Sequence, residues 1–242
     1  MSTDPRTIAV RGLKVEVVRK NIKNLHLGVY PPNGRVRIAV PLAVSDDAVR
    51  LAVIGKLGWI RRQREKFTGQ PRQTKRDMVN GESHYVFGRR YRLTLIVSKG
   101  RPRIVLKTKT KMEMYVPART NVATRRSVLD RWYREELRAA AGPLLEQWQE
   151  KLGVHLSYWG VKRMKTKWGS CNHRTKRVWV NSELAKKPLE CLEYIVVHEL
   201  VHLLEPNHGN RFISLMDKHL PDWRQRRKLL DSSPLSHEKW SY

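Results

Sequence analysis

One pentapeptide constrains this chain more than any other feature: His198-Glu199-Leu200-Val201-His202. On a helix of 3.6 residues per turn, side chains four apart sit about 40° apart around the axis and one turn along it, so two imidazoles at this spacing can reach one ion. Glu199 is rotated about 100° from His198, outside the ligand set but close to a water activated by that ion, where a general base belongs. The surrounding segment from Leu189 to Glu205 is apolar on nearly every side, which predicts a helix buried in a core. A histidine in such a helix is usually a packing residue, but two at this spacing need the compensation that a metal supplies. A catalytic zinc site takes three protein ligands and keeps one position open. Pro206 disfavours helical geometry at Glu205 and turns the chain, which makes His208 the expected third ligand.

The rest of the chain supports a cored protein around that site. With 242 residues, 40% of them hydrophobic, it can build one large domain or two smaller ones. Two cysteines, Cys171 and Cys191, imply no disulfide framework and suit a reducing compartment. Neither a signal-peptide pattern nor an apolar run of membrane-spanning length occurs, so a cytoplasmic protein without membrane partners is expected.

Apolar residues alternate with period two from Val10 to Val18, Leu25 to Tyr30 and Val36 to Val40, predicting an antiparallel sheet. A helix is expected from Asp46 towards Phe67, capped by Ser45, and a loop from Gly69 to Glu82. Further strands are expected at Tyr85 to Phe87, Tyr91 to Val97, Ile104 to Leu106 and Met112 to Val116, with a Gly88-Arg89-Arg90 turn. A long helix should follow from Val122 to Leu152, broken or kinked at Pro143. Strands return between 156 and 181, with His173 in a turn, and Pro188 is expected at the first position of the buried helix. The fold class is therefore α+β: a β-rich basic part over 1–118, a metal-binding catalytic domain over 119–230 in which the His-Glu helix packs on a small antiparallel sheet, and a loose tail over 231–242. No internal repeat is legible.

These residues resemble the YgjP-like family of metallopeptidases, related in its site to SprT-like proteins. The likeness rests on Trp168-Gly169-Ser170-Cys171, Asn181, Leu184, Pro188, Tyr194, the His198 to Leu203 run, Asn207-His208, Phe212 and Pro221-Asp222. It implies a zincin-like fold, one zinc ion (Zn2+) held by His198, His202 and His208, and Glu199 activating water. Glu205 stands where the similarly spaced metzincin motif requires glycine, so the turn before His208 differs from theirs.

Three functions compete. A zinc peptidase would use Glu199 as base on a peptide or protein substrate, with His173 and Asn181 as candidate substrate-binding residues and a strand such as Val178 to Asn181 holding an extended peptide. A UTP pyrophosphatase would use the same centre on a nucleotide. A nucleic-acid-binding module with a structural metal draws on the charge: the chain carries 49 Lys and Arg against 22 Asp and Glu. Residues 1–121 hold 27 of those basic and 8 of those acidic side chains, so the excess lies mainly outside the histidine cluster. Tyr85, Phe87, Tyr91 and Tyr115 stand among the basic runs as a candidate stacking surface.

Overall fold

The computed structural model describes residues 6–30, 34–69, 77–164 and 167–232. Its first unit ends at position 74. There the run expected from Val10 to Val18 is cut by a tight turn into β1 (Arg6–Val10) and β2 (Leu13–Lys20), with Arg11 at φ 47° and Gly12 at φ 77°. Two consecutive left-handed residues form the turn type whose twist matches a hairpin. The hairpin of β3 (His26–Tyr30) and β4 (Arg35–Pro41) then folds back so that β4 lies beside β2 and runs parallel to it. The sheet is therefore mixed, in the order β1-β2-β4-β3, and not wholly antiparallel. Helix α1 (Asp46–Ile54) starts at Ser45, whose side chain accepts the Ala48 N–H. The single helix expected towards Phe67 divides at Gly55 and Lys56, and α2 (Leu57–Gly69) follows. Glycine favours helix interiors poorly, and Gly55 caps the first piece. Val15, Val36, Ile38, Val49, Val53 and Ile60 form the core of this unit.

The second unit, 75–233, opens with the same architecture. Strands β5 (Ser83–Val86), β6 (Arg89–Val97), β7 (Arg103–Leu106) and β8 (Lys111–Val116) pair in the order β5-β6-β8-β7, again with a parallel central pair. Along the sequence the correspondence holds at an offset of 76 positions, although the central pair is registered two residues differently, Val17 facing Ile38 but Leu93 facing Met112. Arg11-Gly12 matches Phe87-Gly88, both pairs at positive φ; Val40-Pro41 matches Val116-Pro117; and Ser45 matches Asn121, which caps the next helix through the Thr124 N–H. Buried Val15, Val17, Val36, Ile38, Val40 and Val53 correspond to buried Tyr91, Leu93, Met112, Met114, Val116 and Leu129. The chain thus contains a repeated ββββα module, contrary to the expectation of no repeat.

The second copy is merged into the catalytic half. Its sheet lays Leu93, Met112 and Met114 into one core with Leu129, Leu137, Leu192 and Leu200. That shared core is why the compact units meet at 74–75 and not at the expected 118–119. Helix α3 (Val122–Leu152) runs through Pro143 without ending, because buried Leu137, Ala141, Leu145 and Trp148 anchor it on both sides of the missing hydrogen bond. Strands β9 (Tyr158–Lys162), β10 (Gly169–Asn172) and β11 (Arg177–Asn181) make a small sheet in the order β10-β11-β9. It is also mixed and not antiparallel: β10 and β11 form a hairpin, while β9 lies on the far side of β11 and parallel to it. A 3-10 turn (Ser182–Lys186) leads to α4 (Leu189–Val201), with Pro188 at its N-cap and not at its first position; α5 (Asn210–His219) and α6 (Trp223–Ser232) follow. Asp231 and Ser232 belong to α6, and the remainder of the expected loose tail lies outside the described residues. Among the described residues no helix is long and apolar enough to cross a membrane.

The two equivalent turn glycines should respond differently to a methyl group. A Cβ on Gly12 meets nothing within 4 Å, whereas one on Gly88 lies 3.0 Å from Pro188 Cγ and 3.2 Å from its Cα. Gly12→Ala is expected to cost about 1–2 kcal/mol from left-handed strain alone, and Gly88→Ala more, by urea unfolding that follows each unit separately.

Candidate metal centre

Helix α4 carries the centre because almost nothing on it faces water: Cys191, Leu192, Val196, Val197, Leu200 and Val201 are fully buried. Its regular turns end at Val201, with His202 as C-cap; the N–H groups of Leu204 and Glu205 still reach the Val201 carbonyl, and Pro206 prevents any continuation. The chain then reverses and brings His208 back. The candidate ligand nitrogens of His198, His202 and His208 all lie within 4.8 Å of one another.

Several contacts fix that tripod. His202 Nδ1 lies 3.2 Å from the Glu205 carbonyl, so it carries the proton and leaves Nε2 as the free base. His198 Nε2 and His208 Nε2 face each other at 3.0 Å. Phe212, buried on α5, packs against all three imidazoles, with ring centroids 5.0, 4.8 and 4.7 Å from those of His198, His202 and His208. Tyr194, one turn before His198 on α4, meets its ring edge-on and stacks on Trp223 of α6. Burial, reinforced by the neighbouring imidazoles, drives His198 down to about 3, and burial lowers His202 as well. These two are therefore neutral bases at physiological pH, the form that binds a metal. Three converging imidazoles on an apolar floor fit a borderline-soft divalent ion such as zinc.

Glu199 is 5% exposed, and burial pushes its carboxyl up to about 8 against the opposing attraction of Lys167. Its position depends on β10: a Cβ built on Gly169 would lie 2.5 Å from Glu199 Oε1 and 2.7 Å from Cγ. Only glycine leaves room for that carboxylate. Gly169 belongs to the Trp168-Gly169-Ser170-Cys171 run, but nothing in the sequence assigns it this role, since it requires knowing which strand crosses the helix. Phe212 likewise belongs to the residues that carry the family resemblance, and its place against the imidazoles follows only from how α5 packs.

A pocket of about 700 Å³ opens over the centre, lined by His198, Glu199, His202 and His208 together with residues of β10, α5 and α6. Lys167 and Arg227 are its cations and Asp231 its second carboxylate. His173 is exposed at its rim, where the sequence reading placed a substrate contact. Asn181 is not among the lining residues. Its side chain donates to the Met164 and Lys167 carbonyls and accepts from the Met164 and Glu183 N–H groups, so it clamps the loop entering β10 and has no capacity left for substrate. Strand β11 is unsuited to hold a peptide because both its edges are paired; of the two edge strands, β9 and β10, it is β10 that borders the pocket. Burial, with help from Glu199, raises the Cys171 thiol to about 11, so it stays protonated.

A family described as YgjP-like, metallopeptidase domain, matches residues 23–233. The chain belongs to the YgjP-like family. Membership makes it a metal-dependent hydrolase of metallopeptidase type and implies a divalent ion, for which the histidine tripod is the candidate site. Two solved structures resemble part of this YgjP-like chain. The metallopeptidase zymogen jannalysin of Methanocaldococcus jannaschii is 23% identical over 37% of this chain and 92% of its own, with a TM-score of 0.34. The zymogen abylysin of Pyrococcus abyssi is 19% identical over 37% and 90%, with a TM-score of 0.35. No curated protein matches the chain.

Two substitutions test the arrangement. Gly169→Ala is expected to displace the Glu199 carboxylate, lowering kcat at least tenfold while metal content stays at the wild-type level. Phe212→Ala removes the common floor of the imidazoles and should weaken metal affinity about 10- to 100-fold, as outer-shell substitutions do, read by chelator competition.

Proposed function

We propose that the chain is a zinc-dependent hydrolase of metallopeptidase type in which His198, His202 and His208 hold the ion and Glu199 is the general base. The convergence of three imidazole nitrogens beside one buried carboxylate carries this reading. When bound, the ion supplies a Lewis acid that polarises the scissile carbonyl and acidifies the attacking water. The ionised form of Glu199 would be favoured by the charge of a bound ion against the burial that raises its carboxyl, and the carboxylate then takes the proton of the attacking water and passes it to the leaving amine nitrogen. Low exposure suits the carboxylate to both steps by keeping bulk water from competing for the proton. The free edge of β10 offers backbone groups to an extended substrate, and the hairpin fixes its distance from α4. His173, exposed and lining the pocket, is the side chain proposed to contact that substrate.

Three protein ligands favour catalysis over a purely structural metal, which normally takes four. The match to a metallopeptidase domain lends no support to UTP hydrolysis.

Elemental analysis and digestion of denatured protein substrates, with UTP as a control, test the proposal. Wild type and Glu199→Gln should each bind one zinc, and His202→Ala should bind none. Glu199→Gln should lose about 10²- to 10⁴-fold in turnover, the usual worth of acid–base catalysis. Zinc-loaded wild type that cleaves no peptide bond, or Glu199→Gln with full turnover, would overturn the proposal.

A further inference from the structure

The sheet of the second module has one face in the core and one in solvent, and the solvent face sets Arg90, Arg92, Arg103 and Lys111 among neutral residues such as Tyr85, Thr94 and Tyr115. Between residues 83 and 116 stand nine Lys and Arg side chains and one acid, Glu113. Alternation turns Tyr91, Leu93, Met112 and Met114 inward and leaves Arg90, Arg92, Lys111 and Arg103 exposed. The register sets these in rows across the strands: Tyr85 opposite Arg90, Arg92 opposite Lys111, and Tyr115 opposite Arg103. Glu113 does not offset the rest, because Lys111 pairs with it at 2.8 Å and the Tyr115 hydroxyl donates to it at 2.8 Å. Neither Arg90 nor Arg92 has an acidic partner among the described residues. The Arg103 guanidinium lies 4.2 Å from the Tyr115 ring centroid. It also lines a concavity of about 400 Å³ at the β7 edge with Arg101, Arg131, Trp132 and Glu135.

We propose that this face binds single-stranded nucleic acid. The cations would follow the phosphates, while Tyr85 and the Arg103–Tyr115 pair offer flat surfaces to unstacked bases. A broad sheet cannot enter a duplex groove but accepts splayed bases, so a single strand fits it better. Aromatic rings among the cations favour nucleic acid over an acidic protein, which needs charge alone. Of the four aromatics expected to stack, Tyr91 is buried in the core and Phe87 packs against it, so Tyr85 and Tyr115 remain. The proposal is independent of the peptidase reading and would bring the metal centre to substrates carried on nucleic acid.

Fluorescence anisotropy of the full-length protein with a labelled single-stranded 20-mer tests it. Arg90→Ala, Arg92→Ala and Lys111→Ala combined should weaken binding at least tenfold. They should also lower the steepness of the salt dependence by about 2, from three lost contacts at ~0.7 each. Tyr85→Ala with Tyr115→Ala should weaken binding at least fivefold with the salt dependence unchanged. All these side chains lie outside the core, and circular dichroism verifies that each variant is folded. Wild type that fails to bind, either variant binding as wild type does, or displacement of the strand by polyglutamate at equal charge concentration would overturn the proposal.

Discussion

The burial of α4 positions three of the four reactive groups at the centre and the start of the turn that returns the fourth, His208. Val196, Val197, Leu200 and Val201 have no contact with solvent, and the helix therefore has a single rotation about its axis that keeps them covered. That rotation fixes where His198, Glu199 and His202 emerge. Burying a side chain of this size contributes about 1.5–3 kcal/mol, so turning the helix enough to misalign two imidazoles would expose several such groups at once. Against that rigid rod, the Gly169 backbone comes close enough to confine the Glu199 carboxylate, and Phe212 closes the far side beneath the three rings. The polar centre is held in place almost wholly by apolar packing.

The same physics explains why the second ββββα module does not stand apart from the catalytic half. In the first module α1 is short and its sheet is covered locally by Val49, Val53 and Ile60. In the second, the equivalent helix start at Val122 continues to Leu152, long enough to cover the sheet with its first turns and support α4 with later ones. Trp148 on α3 donates to Glu193 on α4, and Glu193 in turn pairs with Arg226 on α6, tying three helices together. The second module thereby forms one wall of a larger core, and its outer face is free to carry charge.

The centre was the most legible part of the sequence because its information is local: a helical spacing, a proline and one more histidine within eleven residues. Strand positions are also legible from alternation, except where Arg11-Gly12 hides a turn inside what reads as a continuous run, while the equivalent turn at Gly88 is legible. The parallel central pairs were not, since alternation is the same for either strand direction and the crossover depends on which hairpin folds over which. The repeat escaped notice because the two copies share few identities. What they conserve is the placement of buried positions, as in Ile38 against Met114. Asn181 was misread for a related reason: a polar residue beside an active helix suggests substrate, yet burial and four hydrogen bonds make it a clamp.

The account turns on which atoms hold the ion, and X-ray absorption spectroscopy of the zinc-loaded protein measures that directly. It should show only light nitrogen and oxygen scatterers at about 2.0–2.1 Å, three of them with the multiple-scattering pattern of imidazole, and no sulfur. A sulfur shell at about 2.3 Å would place Cys171 or Cys191 on the metal and contradict the histidine tripod.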